Sequence, residues 1–382
     1  MMFTYFDHAA TTPVHPEVVE AMLPHFTQSF GNASSTHSAG REARAVLNRS
    51  RDTIASFIGC APSQIIFTSG GTESDNLALF GAAAARKSIG NHIITTQSEH
   101  HAVLHACEQL ELQGYEVTYL PVDRTGRVNV RDVEEAIRPD TILISVMFAN
   151  NEVGTLQPIR EIGAIARAKG IPFHVDAVQA LGTQPIDLSS LPVDLMSFSA
   201  HKINGPKGIG ALYIAKQMKL QPLFYGGNQE RKRRPGTENV AGIAGFAKAV
   251  QILREEMYEK QQNLEKLRIE MVTRLQALLG QEQAVVNGHP AERVPHILNI
   301  SFPGVSTETM LMNLDLEGIA AASGSACTSG SLEVSHVLKA MRLEDEITRS
   351  AIRFSFGLGN TLEEIGAAAR KIATIVDRVR NA

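Results

Sequence analysis

Ser197-Phe198-Ser199-Ala200-His201-Lys202 is the stretch on which the fold turns. It closes an apolar, strand-like run that begins at Val193, and it delivers a lysine just past the end of that run. Upstream, a similar run from Ile171 to Val175 ends in Asp176. Working outward, short β-rich runs alternate with helical patterns from about residue 60 to 215. Strands are expected at Gln64 to Thr68, His92 to Thr96, Glu116 to Pro121, Thr141 to Met147, Ile171 to Val175, Val193 to Phe198 and Gly210 to Ile214. Helices are expected at Glu73 to Arg86, His101 to Gln113 and Arg160 to Lys169, the last stopped by Gly170. Such alternation predicts an α/β fold with a mostly parallel sheet, whose ligands sit beyond the carboxyl ends of the strands.

After Val240 the pattern changes. Val240 to Leu279 is nearly unbroken helix former, with Leu264, Leu267, Met271 and Leu275 at helical spacing. Strand-like runs follow at Ala284 to Val286 and His296 to Phe302, and a closing helix at Leu362 to Arg380 carries one apolar face. This predicts a smaller α+β domain at 256–382, joined by the N-terminal segment 1–11, beside a large domain at 12–255.

With 382 residues the chain is long enough to bury a full core, and a net charge of −4 gives no reason to expect a polyanion partner. No run approaches the roughly 20 apolar residues of a membrane span, and no export signal is evident. Three cysteines, odd in number and widely spaced, imply neither a disulfide framework nor a CxxC metal site, which fits a reducing cytoplasm.

Several constellations carry possible chemistry. A lysine and a carboxylate at the ends of neighbouring strands suit pyridoxal 5'-phosphate (PLP). The amine condenses with the aldehyde, and the carboxylate keeps the pyridine nitrogen protonated. The competing reading is an exposed lysine in a loop. Thr68-Ser69-Gly70-Gly71-Thr72-Glu73 lies between a strand and a helix, where backbone N–H groups and the Thr72 hydroxyl make a phosphate cup or a plain capped turn. His100 falls at a strand's carboxyl edge, where an imidazole can stack on an aromatic ring and carry protons. His101 and His105, four apart on a helix, invite a zinc reading that no further ligand completes.

Cys327 sits in the small-residue run Ser323 to Ser331, either incidental or a nucleophile that travels. Cys60 and Cys107 lie beside apolar or helical stretches and read as structural. Arg353 suits a substrate carboxylate or an ordinary ion pair. The basic run Arg231-Lys232-Arg233-Arg234 reads as a solvated loop or as a dock for an anionic partner such as tRNA.

Taken together, these segments resemble the NifS/IscS-type cysteine desulfurases of the class V, fold type I PLP enzymes. The resemblance runs from Tyr5-Phe6-Asp7-His8-Ala9-Ala10-Thr11-Thr12-Pro13 through Phe30-Gly31-Asn32, the Ser69 to Asn76 turn and Asn150-Asn151-Glu152-Val153-Gly154. It continues through His174-Val175-Asp176-Ala177-Val178-Gln179, Ser199 to Gly210, Gly236-Thr237, the Cys327 loop and Arg353. It implies a large domain with a mostly parallel seven-stranded sheet between helices.

The resemblance further implies that Lys202 is the Schiff-base lysine, Asp176 the pyridinium partner and His100 the ring-stacking, proton-handling group. Gln179 and Asn151 would contact the ring substituents or the substrate. Gly71, Thr72, Ser199 and His201 would hold the phosphate, and Thr237 would reach the phosphate of a neighbouring subunit, implying a homodimer. Arg353 would hold the cysteine carboxylate and Cys327 would carry the persulfide. The implied reaction takes sulfur from L-cysteine, leaves L-alanine and passes the sulfur to an iron–sulfur scaffold or a tRNA-thiolation enzyme.

Neither direct nucleic-acid binding nor a resident metal is implied; Cys327 would at most ligate a nascent iron–sulfur cluster transiently. Ala200, Pro235 and Val334 depart from the family's usual residues without removing a reactive group. Selenocysteine lyase activity, or another class V PLP reaction, is the alternative, and a selenium-specific lyase need not use the loop cysteine.

Overall fold

The computed structural model describes residues 3–324 and 334–381. Seven strands form the central sheet, in the order Ile65–Thr68, Gly210–Ile214, Leu195–Ser199, Phe173–Asp176, Thr141–Ser145, His92–Thr96, Glu116–Leu120. Gly210–Ile214 runs opposite to the other six, antiparallel to the strand on either side of it. Six of the strands are buried along their whole length, as expected of a sheet covered by helices on both faces. The edge strand Glu116–Leu120 alternates less and is partly exposed.

Two histidines cross-link this sheet from within. His92 bonds the hydroxyls of Thr141 and Thr118 at 2.8 Å each, on the strands to either side. His174 does the same with Ser145 (2.8 Å) and Ser197 (3.0 Å). Both rings are buried, so these bonds remove a desolvation penalty while fixing strand register.

The strands expected from the sequence are present with shifted ends. Thr141–Ser145 stops before Val146 and Met147, and the run beginning at Ile171 enters the sheet only at Phe173, because Pro172 has no N–H to give the ladder. The helix Ser38–Ile58 was not expected at all.

A second apolar cluster surrounds the antiparallel strands Val285–Asn287, Ile297–Ser301 and Ala351–Ser355. The helix Val240–Leu279 serves both clusters. Ile243, Phe246, Val250 and Leu253 pack on the large sheet's side, and Leu264, Leu267, Met271 and Leu275 on the other. The N-terminal segment threads between them, with Phe6 in the second cluster and Ala9 in the first.

Candidate active site

The carboxyl ends of the central strands open into a cavity of about 510 Å³. Its wall includes Gly71, Thr72, His100, Asn151, Asp176, Gln179, Ser199, His201, Lys202 and Arg353. Ten of the expected site residues, drawn from widely separated segments, therefore share one space. Thr237 is exposed and does not line the cavity, and Cys327 lies outside the described residues.

Lys202 follows the strand Leu195–Ser199 in a short 3-10 turn, and its amine donates to the carbonyls of Ala9 and, at 2.7 Å, Ala10. Burial lowers its pKa to about 8, assisted by the nearby Arg353 cation. Asp176 ends the adjacent strand and accepts the N–H of Val178 at 2.9 Å. Burial and then the neighbouring carboxyl of Asp75 push its pKa up. A cation placed against Asp176 would oppose both effects.

The helix Gly71–Arg86 points its N-terminus into the same cavity, where unpaired N–H groups and the helix dipole favour an anion. Glycine is required at this cradle. A Cβ on Gly71 would stand 2.6 Å from Val178 Cγ2, and one on Gly210 would meet the Gly70 backbone at 2.7 Å. The residues present thus fit PLP in kind: an amine for the aldehyde, a carboxylate for the ring nitrogen and a glycine-lined helix start for the phosphate.

His100 caps the helix His101–Leu112, its Nδ1 accepting the N–H of Ala102 at 3.1 Å. That leaves the ring proton on Nε2. Burial, then the charge of Lys202, lowers the His100 pKa to about 4, so the imidazole is neutral at pH 7. Arg353 is nearly fully buried, with Nη2 on Asp7 Oδ1 at 2.8 Å and Nη1 on the Asn151 carbonyl at 2.9 Å. Its Nε has no partner, so the fork keeps donor capacity on the site.

Several wall residues were not singled out from the sequence. Asp7 sat inside the quoted N-terminal motif, but its pairing with Arg353 joins residues 346 apart in the chain. Glu152, in the Asn150 to Gly154 motif, is buried with its pKa raised by burial, and it accepts the Ser335 hydroxyl at 2.5 Å. Asp75 is fully buried on the cavity floor, 3.5 Å from His174. His101 and His105 stack face to face with ring centroids 4.8 Å apart instead of converging, and no group of three potential ligands gathers among the described residues. Burial lifts the Cys60 thiol to about 12 and pushes Cys107 up further, which leaves both unreactive. In the basic run, Arg234 is committed to Glu73 at 2.7 Å.

A family model described as aminotransferase class-V matches residues 4–367. IscS 1 of Bacillus subtilis (strain 168) is 54% identical over 98% of this chain and 99% of its own. The cysteine desulfurase IscS of Methanosarcina thermophila is 50% identical over 99% of this chain and 93% of its own. A solved NifS-like protein superposes with a TM-score of 0.93 at 39% identity, covering 99% of this chain and all of that one. The chain therefore belongs to the class-V aminotransferase family, among its PLP-dependent IscS/NifS-type cysteine desulfurases.

Proposed function

We propose that the cavity at the sheet's carboxyl edge is where cofactor and L-cysteine meet, with Lys202 as base and Cys327 as the sulfur carrier. The observation that carries this reading is that Lys202 and Asp176, on adjacent strand ends, share one cavity with a helix N-terminus and Arg353. PLP, when bound, supplies an aldehyde for the lysine and a protonated ring that draws electrons from the substrate's Cα. Lys202, Asp176, Gln179 and the Gly71–Thr72 cradle with Ser199 and His201 would hold it.

The chain's own groups then divide the work. Arg353 binds the cysteine carboxylate through its fork, with Asn151 beside it, and so fixes which Cα bond faces Lys202. Lys202 takes the α-proton at Nζ. His100 donates or accepts at Nε2, the nitrogen its cap bond leaves free. The Cys327 thiolate attacks the substrate sulfur. An S–S bond forms as the C–S bond breaks, the bonding pair stays on Cβ, and with a proton taken up at Cβ and the Cα proton returned, a persulfide is left on Cys327 and alanine in the site.

The same reading makes the enzyme a cytoplasmic homodimer in which Thr237 serves the neighbouring subunit's phosphate. Sulfur passes to an iron–sulfur scaffold or a tRNA-thiolation enzyme, and the division into two domains falls near residue 255, within the helix that feeds both apolar clusters.

Incubation with L-cysteine, with alanine and protein-bound sulfane sulfur both measured, tests the scheme. Cys327→Ala should keep the cofactor's absorbance and lose sulfur transfer, whereas Lys202→Ala should lose turnover altogether. Unchanged sulfide output from Cys327→Ala would remove the persulfide role.

A further inference from the structure

Beside Lys202 lies a small chamber of about 20 Å³, which shares Val178, Gln179 and Lys202 with the substrate cavity and reaches residues of both apolar clusters. Its walls include His8, Gln179, Lys202, Asn204, Lys260 and His296, with no carboxylate among them. The volume suits a single water molecule.

The chamber's two imidazoles are short of partners. His8 is 4% exposed; Asn360 and the Tyr5 backbone lie near it, yet neither of its ring nitrogens makes a hydrogen bond of good geometry. His296 is 8% exposed, with Nε2 3.3 Å from Gln179 Oε1 and Nδ1 unpartnered. Unmet polar atoms at this depth are costly, so the arrangement calls for an occupant. Both imidazoles are held neutral by burial and by the nearby Lys260 cation, so each offers one donor and one lone pair.

Lys260 is the link to the outside. It sits on the helix Val240–Leu279, and its amine donates to Asn204 Oδ1 at 3.3 Å. Besides the chamber, it lines an outer cleft of about 390 Å³ with Glu256, Glu259 and His15. Lys202 in turn lines both the chamber and the substrate cavity. Burial lowers both lysines to a pKa of about 8, which places them near one another as proton donor and acceptor.

We propose that this chamber is a proton port: one water held among His8, His296 and Lys260 carries protons between Lys202 and the outer cleft, with Lys260 as the relay. The proposal rests on Lys202 acting as the base. A proton taken from the substrate's Cα leaves the Lys202 ammonium for the chamber water, whose own proton refills the Lys260 amine as the Lys260 cation gives one up. Lys260 releases one proton to bulk water beside Glu256 and Glu259. Only N–H and O–H bonds change, and the reverse path returns the proton that completes the product's Cα. The port would be useful where bound cofactor and substrate exclude water from the substrate cavity.

The test uses the PLP-loaded enzyme with α-deuterated L-cysteine in ordinary water, reading deuterium at Cα of the alanine formed. In the parent enzyme the label should wash out. Lys260→Met should raise the ratio of retained to exchanged label about tenfold, as expected when a positioned proton-transfer group is lost. Lys260→Arg keeps the charge but cannot release a proton, so it should behave like Lys260→Met and not like the parent. A purely structural cation would instead be rescued by arginine, which overturns the relay.

His8→Leu should raise retention in the same direction and serves if the Lys260 variants fold poorly. Washout at the parent level in both Lys260 variants, or a crystal structure with no water on His296 Nδ1, overturns the port while leaving Lys202 as base. Label loss that persists in Lys202→Ala overturns the base assignment itself.

Discussion

Glu230→Ala should destabilise the enzyme by about 3–5 kcal/mol, the range found when one partner of a buried ion pair is removed. Glu230 and Arg51 are 4% and 7% exposed at their side chains. The carboxylate accepts Arg51 Nη2 at 2.5 Å, Arg51 Nη1 at 2.9 Å and the Phe67 N–H at 2.9 Å. Arg51 also donates to the Ile65 carbonyl at 2.6 Å and lies 4.6 Å over the Phe67 ring. Three charge-assisted bonds at about 1.5–3 kcal/mol each would sum to more than the quoted loss, but forming them required desolvating both ions, which offsets part of it. The pair also holds three consecutive non-glycine residues, Glu230, Arg231 and Lys232, in the left-handed region at φ 43°, 58° and 64°. That backbone costs about 1–2 kcal/mol per residue and persists only while its anchors do. Urea unfolding of the parent, Glu230→Ala and the double variant Arg51→Met/Glu230→Met measures the effect. The double variant should regain most of the loss, short of about 1 kcal/mol for the Phe67 N–H that remains unpaired. A single-variant loss under about 1 kcal/mol, or a double variant no more stable than the single, refutes the reasoning.

Other expectations concern the site directly. Arg353→Lys exchanges a two-pronged donor for a point charge and should raise KM for cysteine by roughly 10–100-fold, with a smaller change in kcat, since one charged hydrogen bond is worth about 1.5–3 kcal/mol; equal loss in kcat alone would remove the binding role. Gly71→Ala places a methyl 2.6 Å from Val178 Cγ2 and should weaken PLP retention in equilibrium dialysis while circular dichroism stays unchanged; retention at the parent level would show that the cradle can shift. The cofactor-free chain should be titrated for stability as well. Burial lowers Lys202 to about 8 from 10.5, so the unfolded chain binds more protons between those values, and this lysine's penalty is full below pH 8 and fades toward pH 10.5. Lys202→Met should accordingly be more stable than the parent at pH 7, with the gap closing by pH 10; a gap that widens with pH contradicts the assigned direction.

The alternation of strands and helices was legible because six central strands are buried on both faces and read as continuous apolar runs. Their ends were less so, since Pro172 looks like part of an extended run yet offers the neighbouring strand only its carbonyl, which accepts the Ile144 N–H at 3.0 Å. The helix Ser38–Ile58 stayed hidden for a different reason. Its inward face includes Ser50 and Arg51 among Val46, Leu47, Ile54 and Ile58, so the apolar stripe is broken by a charge. Arg51 belongs there only because Glu230, distant in sequence, neutralises it, and no local pattern carries that information. Within the site, Lys202, Asp176 and the glycine turn announce themselves by lying at strand ends. Asp7, Asp75 and Glu152 do not, because each draws its meaning from a partner on another element: Arg353, His174 and Ser335.

The charges of the cavity explain why one group suits it so closely. Asp75 and Asp176 form an acidic floor, with Glu99 buried behind them, and among the described residues no lysine or arginine forms an ion pair with any of the three. Burial raises all three, and mutual repulsion adds to the effect on Asp176 and Glu99. Opposite them, the Arg353 cation lies close enough to lower the Lys202 pKa. A chain in this state stores unfavourable electrostatics at both ends of one cavity. A cationic ring nitrogen set against Asp176, with an anionic phosphate at the start of the helix Gly71–Arg86, would offset part of this cost. Binding energy of that origin would add to fold stability by mass action.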